Sequence, residues 1–522
     1  MPLEPILALL KAQEELRFFV DGTRNLGHQG ATVSLLKQLI DKTGFTGRIT
    51  LVYADPVKPA HGDTLGKLAY LLAGLDPAKI ESTTVGYGTC KRIGFLRYAE
   101  RGRLPDECAF GFTGGADDMS VNFARELKVR YFLRLQPYLW DDDASRKTDP
   151  YYESSRIEEP DDRYCFLADE CPGFRSLPYR FPRNSIQTVS EEIWSWYSRR
   201  QTFDTALKAC TANVEVIYQA YQEGRGLQLW PIYGLQHFGE CIPDIALNLV
   251  LVALQVQPML GRPIVAVVMS NPAQAPRIQD LVWPFARDLA VRVARLPRFE
   301  AALARRTRGE AGRRRAAAVA AAIAKQMGPW FKTGARLTVF SDYDPTHETH
   351  VDISDALGAV LGRAGYDDVI FVFTGLVPVD VYNYFYANCS IPGVFEGQAS
   401  SSLVVSLGRP FLQIPRAGHA IENSYPSRLA GRDFTPLATV LNDTARQLRE
   451  SSCTRYLTGD GAGDPDQLLE QLSKVADFIV QAQDPASEVR AFFEAMREHF
   501  QQDVHDKLSV ALAALQARVG FG

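Results

Sequence analysis

The sequence predicts an α/β protein: two domains of alternating strands and helices in series, followed by a helical C-terminal tail. Three patterns carry that expectation. Short apolar runs alternate with helical patterns from residue 15 to about residue 137, and the same alternation returns from 336 to 415. Alternation of this kind is the signature of a parallel sheet covered by helices. From about Asp464 onward only helical signals remain, ending in "DPASEVRAFFEAMREHFQQDVHDKLSVALAALQARV". A chain of 522 residues has room for about two to four domains.

In the first domain the strand candidates are "LRFFVDG", "RITLVYAD" (Arg48 to Asp55), "ESTTVGYG" (Glu81 to Gly88), "CAFGFTGG" (Cys108 to Gly115) and "RYFLRLQP" (Arg130 to Pro137), with helices such as Thr32 to Lys42 and Met119 to Lys128 between them. From Trp140 to about Gln187 the pattern lapses into the acidic, turn-rich, tyrosine-containing "DDDASRKTDPYYESSRIEEPDDRY", which reads as a long surface insertion. Asp141, Asp142 and Asp143 read as a solvated acidic turn. Helices follow near Glu191 to Gln222. "LQLWPIYGLQHFGECIPDIALNLVLVAL" then gives a strand, a loop with His237 and Glu240, and a helix begun at Pro243; "RPIVAVVMSN" is a buried strand. Between Arg298 and Met327 the chain is rich in alanine and arginine, with Arg305, Arg306, Arg308, Arg313, Arg314 and Arg315 clustered. It reads as a solvated helix or linker, with an anionic partner as the alternative.

The second domain runs from the strand "RLTVFSDYD" (Arg336 to Asp344), through the helix in "HVDISDALGAVLGRAG" with its glycine stop, to the strand "DDVIFVFTG", the helix "VPVDVYNYFYANCS", the strand "IPGVFEG", the short helix "SSSLVVSLG" and the strand "RPFLQIP". The expected division is 1–328, carrying the insertion at 140–187 and the basic linker at 298–328, then 329–480, then a tail at 481–522 that packs back on the first domain.

Composition is that of a globular protein, 46% hydrophobic and 23% charged, and a formal net charge of −4 gives no global attraction for nucleic acid. The eight cysteines contain no C-x-x-C pair, so neither a disulfide framework nor a zinc site is expected; reduced thiols in a cytoplasmic protein fit this spacing. The start "MPLEPILALLKAQEEL" lacks the basic flank of a signal peptide. The longest apolar run, Ile245 to Val256, is too short to span a bilayer and reads as a buried core helix. "HETH" (His347 to His350) has an i, i+3 spacing, but no thiol or glutamate motif lies beside it in sequence, and no metal is expected.

Two loops carry chemistry. "RFFVDGTRNLGHQGATVSLLKQL" breaks from strand to helix through a glycine-rich turn holding Asp21, Asn25, Gly27 and His28. "PGVFEGQASSSLVVSLGRPFLQIP" delivers Glu396, Gly397, Gln398 and the serines Ser400, Ser401 and Ser402 at a helix start. Serine favours the N-cap, and a helix start with spare N–H groups grips anions.

The second loop resembles the donor-site motif of GT-B glycosyltransferases, written "HGGxGTxxEALxxGxPxLxxP". Residues 396–402 fall on its phosphate-gripping loop, and Gly408 and Pro410 on its closing Gly-x-Pro. The opening "GHQGATVSLLKQL" is similar to the family's first loop and helix, where a histidine often serves as the acceptor's base; His28 holds that place. The resemblance implies two Rossmann-like domains facing a cleft. Three positions depart from the pattern. Glu396 stands where the family has a phosphate-binding histidine, Leu403 or Val404 where it often has a ribose-binding glutamate. Gln398 stands where the related protein-arginine rhamnosyltransferases place a catalytic glutamate.

The resulting expectation is an inverting, metal-independent glycosyltransferase without a cofactor, using a nucleotide-sugar donor. The acceptor would be a small molecule, a glycan or a protein side chain. His28 would be the base and Asp21 its orienting carboxylate. Residues 396–402 with Arg416 and His419 would hold the donor, and Asn25, Gly27, His237 and Glu240 would line the cleft. A nucleotide-sugar epimerase of the same fold and a non-catalytic binding protein stand as alternatives.

Overall fold

In a computed structural model of the chain, the described residues are 3–22, 27–56, 64–73, 85–115, 121–135, 151–154, 164–165, 205–269, 336–344, 349–366, 368–375, 377, 379–415, 425–451, 465–502 and 506–520. The arginine-rich segment and Asp141 to Asp143 lie outside them.

The first sheet contains β1 (Glu15–Val20), β2 (Arg48–Tyr53), β3 (Val85–Tyr87), β4 (Cys90–Arg97), β5 (Cys108–Thr113), β6 (Val129–Arg134), β7 (Tyr151–Ser154) and β8 (Tyr164–Cys165), in the order β3-β4-β2-β1-β5-β6-β7-β8. Its five central strands are parallel; β3, β7 and β8 are antiparallel additions at the edges. The second sheet contains β9 (Gln228–Tyr233), β10 (Ile264–Met269), β11 (Arg336–Ser341), β14 (Asp368–Thr374), β15 (Gly393–Phe395) and β16 (Phe411–Gln413), in the order β11-β14-β10-β9-β15-β16. Every pairing in it is parallel. Two small antiparallel pairs, β12 (Tyr343–Asp344) with β13 (Thr349–His350) and β17 (Arg428–Leu429) with β18 (Arg432–Asp433), stand apart.

Helices cover the sheets: α1 (Glu4–Lys11), α2 (Gly27–Thr43), α3 (Thr64–Ala73), α4 (Phe123–Glu126), α5 (Thr205–Gln222), α6 (Ile242–Leu260), α7 (Ser354–Gly362), α8 (Val379–Asn388), α9 (Gln398–Leu407), α10 (Thr435–Glu450), α11 (Pro465–Gln483), α12 (Glu488–Phe500) and α13 (Lys507–Val519). Helix α6 holds the long apolar run as a core element, with Ile245 through Leu254 buried on every face. No helix among the described residues is long and apolar enough to cross a membrane.

Two expectations are corrected here. The sheets divide the chain between Cys165 and Gln228, not near residue 328, because β9 and β10 pair into the second sheet. Both are apolar and buried on both faces, and such strands look the same in either sheet. Within the supposed surface insertion, Tyr151–Ser154 and Tyr164–Cys165 extend the first sheet at its edge. An antiparallel edge strand needs no crossover helix, so the strand–helix alternation stops where the sheet does not.

Buried charge fixes the base of the first sheet. Arg17 on β1 is fully buried and donates to the carbonyls of Leu127 (2.7 Å), Lys128 (2.8 Å) and Asp106 (2.8 Å). Glu15 accepts from Thr50 (2.5 Å), Arg48 (2.7 Å) and Arg17 (3.3 Å). Burial pushes the Glu15 carboxyl up, but the hydrogen bonds from Arg17, Thr50 and Arg48 outweigh it and hold it below its ordinary value. Ionised Glu15 therefore stabilises the fold at neutral pH. That contribution starts to fade below about pH 4.3, the ordinary glutamate value, and is gone once the pH has fallen through the depressed one. Thermal melts taken from neutral to acid pH are expected to show Glu15→Gln with a lower Tm at neutrality and a shallower acid decline than the parent; parallel curves would exclude the role.

The last helices tie the chain together. Phe493 of α12 packs on Phe411, with ring centroids 5.1 Å apart, and Arg497 lies against Gly408 at the end of α9. Asp506, fully buried before α13, accepts from Lys42 Nζ (2.9 Å) and Gln38 Nε2 (2.9 Å) of α2. Breaking a fully buried pair costs about 3–5 kcal/mol; Lys42 is part-exposed, so water reaches the charge left behind and the loss falls below that range. Asp506→Ala is expected to lower Tm accordingly and to open the segment after α12 to limited proteolysis, whereas Asp443→Ala, in an exposed pair, should change neither.

Candidate functional site

Each sheet reverses its build direction once. In the first, the chain moves from β1 outward through β2 and β4, then returns to place β5 and β6 on the other side of β1. In the second, it moves from β9 through β10 to β11 at the edge, sets β14 between β10 and β11, then crosses back to place β15 and β16 beyond β9. Parallel sheets open a crevice at the carboxyl ends of the strands where the order reverses. Both chemistry-bearing loops emerge at these two points, one after β1 and one after β15.

At the β1/β5 reversal, Asp21 leaves the strand and α2 begins at Gly27. His28 Nδ1 lies 3.6 Å from Asp21 Oδ2, with the side chains 18% and 26% exposed. This is ion-pair range rather than a hydrogen bond. The Gln29 side chain donates to the Asp21 carbonyl (2.7 Å), fastening the helix start to the strand end. From the other side come Gly114 and Gly115, after β5. Gly114 N–H donates to Thr32 Oγ1 (3.0 Å), and a Cβ at Gly114 would sit 2.5 Å from the Ala31 carbonyl carbon. A Cβ at Gly115 would sit 2.9 Å from His28 Cγ. Only hydrogen at these two positions lets the first turn of α2 rest on the neighbouring strand and fixes where the imidazole stands.

At the β9/β15 reversal, Gly234 follows β9 with φ +85°, and a Cβ there would lie 2.7 Å from the Glu396 carbonyl oxygen. Glu396 follows β15; its N–H donates to the Tyr233 carbonyl (3.1 Å), and its side chain is 7% exposed. His237, on the 3-10 turn Leu235–Cys241, brings Nε2 to 3.6 Å from Glu396 Oε2. Glu396, the acid that stands where an anion-binding group was expected, is thus faced by an imidazole. Gly397 takes φ +119°, ψ 140°, with open space where a side chain would be, and having no side chain it cannot cap α9.

The serines do not cap the helix, which corrects a further expectation. Helix α9 begins at Gln398, so Ser400 and Ser401 fall inside its first turns. The Ser401 hydroxyl donates to Gln413 Oε1 (2.7 Å), while Ser400 pairs with the Tyr382 hydroxyl; both serines are buried. They pack the helix onto β16 and α8 and leave any anion contact to the backbone of the first turn. Helices α2 and α9 touch, which brings elements from the two reversals into contact.

Asn25, Arg416 and His419 lie outside the described residues, as do the side chains of Gln398, Ser402 and Glu240. Gly27 is half-buried at the start of α2, with open space around it. The sequence reading missed Gly114, Gly115 and Gly234 as site residues. The signal was present in "FTGG" and "IYGLQHFG", each a glycine directly after an apolar strand.

No protein-family model matches this chain, and no curated protein shows significant similarity to it.

Proposed function

We propose that the chain is a glycosyltransferase of the GT-B type, transferring a sugar from a nucleotide-sugar donor to an acceptor with inversion. One observation carries the reading: the two motif-bearing loops occupy order reversals among the parallel strands of two separate sheets, and the helices that follow them touch.

In this reading the acceptor hydroxyl lies against His28. The imidazole takes the hydroxyl proton through Nε2, while Nδ1 faces Asp21; the carboxylate steadies the imidazolium that forms. The acceptor oxygen bonds to the anomeric carbon and the bond to the diphosphate breaks, its electron pair leaving on the phosphate. The N–H groups and dipole of the first turn of α9 stabilise that charge. The His237 ring beside Glu396 offsets the carboxylate charge when it is protonated.

A ligand that binds only the folded state raises Tm. Screening nucleotides and nucleotide sugars is expected to find one nucleotide whose diphosphate sugar raises Tm by about a degree or more, with free nucleotide released once an acceptor is added. An isomerised donor would replace transfer by epimerisation, and binding without turnover would leave a non-catalytic binding protein. No shift with any nucleotide would overturn the reading.

A further inference from the structure

"PTHETH" ends in His350, which the proposed transfer does not use. The fold gives it partners that its neighbours in sequence do not. Strand β13 sets His350 beside Asp342, the residue after β11, with Nδ1 2.8 Å from Oδ1. Cys210, far upstream on α5, completes the group. Its sulfur, one imidazole nitrogen and one carboxylate oxygen lie within 4.8 Å of one another, and all three residues are buried.

Two details set this cluster apart from ordinary packing. The first is charge. The Asp342 carboxylate has no exposed surface; Oδ2 accepts from the Thr374 hydroxyl (2.9 Å) and the Gly375 N–H (3.0 Å), and Oδ1 faces His350. Among the described residues no lysine or arginine pairs with Asp342; its ion-pair partner is the His350 ring, cationic only when protonated. A buried carboxylate needs a positive partner. The second is space. A Cβ at Gly375 would stand 2.3 Å from His350 Cε1 and 2.9 Å from both Cys210 Sγ and His350 Nδ1. Glycine there lets the thiol and the imidazole close in on the backbone and on each other; any side chain would drive them apart.

We propose that Cys210, Asp342 and His350 bind one divalent transition-metal ion, zinc being the best match. Thiolate, imidazole and carboxylate are each zinc ligands, and three protein ligands leave the fourth tetrahedral position to a water molecule. Cys210 enters as thiolate, its proton leaving to solvent. Thiolate and carboxylate then neutralise the two positive charges, which balances Asp342. The bonds from Thr374 and Gly375 hold the carboxylate in place, as outer-shell partners do around bound metals. The ion clamps α5 to the carboxyl ends of β11 and β14. Strand β10 separates this place from the β9/β15 reversal, so the proposed transfer and this site stand or fall independently. The same three groups could also form a nucleophilic triad, but a thiol with no exposed surface does not meet a substrate.

The test uses the untagged full chain. After equilibration with zinc and gel filtration, elemental analysis is expected to find about one zinc per chain. Cobalt in its place should give the near-ultraviolet charge-transfer band of a thiolate ligand. Cys210→Ser should abolish that band, and His350→Gln should weaken zinc binding about tenfold or more. Because either variant can unfold, the parent supplies an independent readout: a chelator should lower its Tm and added zinc should restore it. Trace metal only, no cobalt–thiolate band, or Cys210 alkylated equally fast with and without zinc would each overturn the proposal.

Discussion

His28→Ala is expected to lower kcat by about 10²–10⁴-fold, the usual worth of a positioned general base, while leaving nucleotide-sugar binding intact. The split follows from placement. His28 stands at the β1/β5 reversal of the first sheet, whereas the donor is assigned to the start of α9 on the second. Asp21→Asn tests the orienting role: it should lower kcat less than His28→Ala, because the carboxylate 3.6 Å from Nδ1 holds the ring in place but does not itself take the proton. Gly115→Ala tests placement without touching the chemistry. A methyl group 2.9 Å from His28 Cγ must push the imidazole aside, so kcat should fall with donor affinity unchanged. Steady-state kinetics beside calorimetric donor titrations read all three. Turnover within tenfold of the parent in His28→Ala would remove His28 as the base.

Sequence reasoning reached the individual elements more surely than their assembly. The strand over Arg48–Tyr53, the core helix through Ile245–Leu254 and the run of elements from β14 to β16 were legible because each is a local apolar pattern bounded by glycine, proline or polar residues. Strand β4, "CKRIGFLR", was missed: charged residues interrupt it, and only pairing with β2 and β3 makes a strand of it. Helix α10 was missed although Leu437, Leu441, Ala445 and Leu448 repeat at helical spacing and are all buried. Which sheet β9 and β10 join is not a local property at all, since nothing in "LQLWPIY" or "IVAVVM" names its neighbours.

The site divides the same way. A glycine-rich turn between strand and helix is visible in sequence, so the places of Asp21 and His28 after β1, and of Glu396 and Gly397 after β15, were legible. The pairing of His237 with Glu396, the seating of Ser400 and Ser401 inside α9, and the meeting of Cys210 with Asp342 and His350 all depend on chain crossings, and spacing along the sequence does not encode them. The glycines are intermediate: their positions are legible, but the atoms that forbid a side chain belong to other strands.

Gly234 shows how that last distinction can be measured. Gly224→Ala and Gly234→Ala share one cost and differ in another. Both positions have positive φ, +68° and +85°, and alanine in that conformation costs about 1–2 kcal/mol. At Gly224 no atom lies within 4 Å of the added Cβ; at Gly234 the Glu396 carbonyl oxygen lies at 2.7 Å and the Glu396 nitrogen at 3.0 Å. Backbone in a sheet cannot turn away as a side-chain tip can, so Gly234→Ala adds an overpacking cost of about 1–3 kcal/mol. Denaturant unfolding should therefore place it clearly below Gly224→Ala in stability. The displaced atoms belong to Glu396, the residue that leads into Gly397 and α9, so Gly234→Ala should also weaken nucleotide binding, whereas Gly224→Ala should leave it unchanged. Equal losses of stability in the two variants would mean that β9 and β15 do not approach as closely as described, and with that the crevice at their ends would lose its floor.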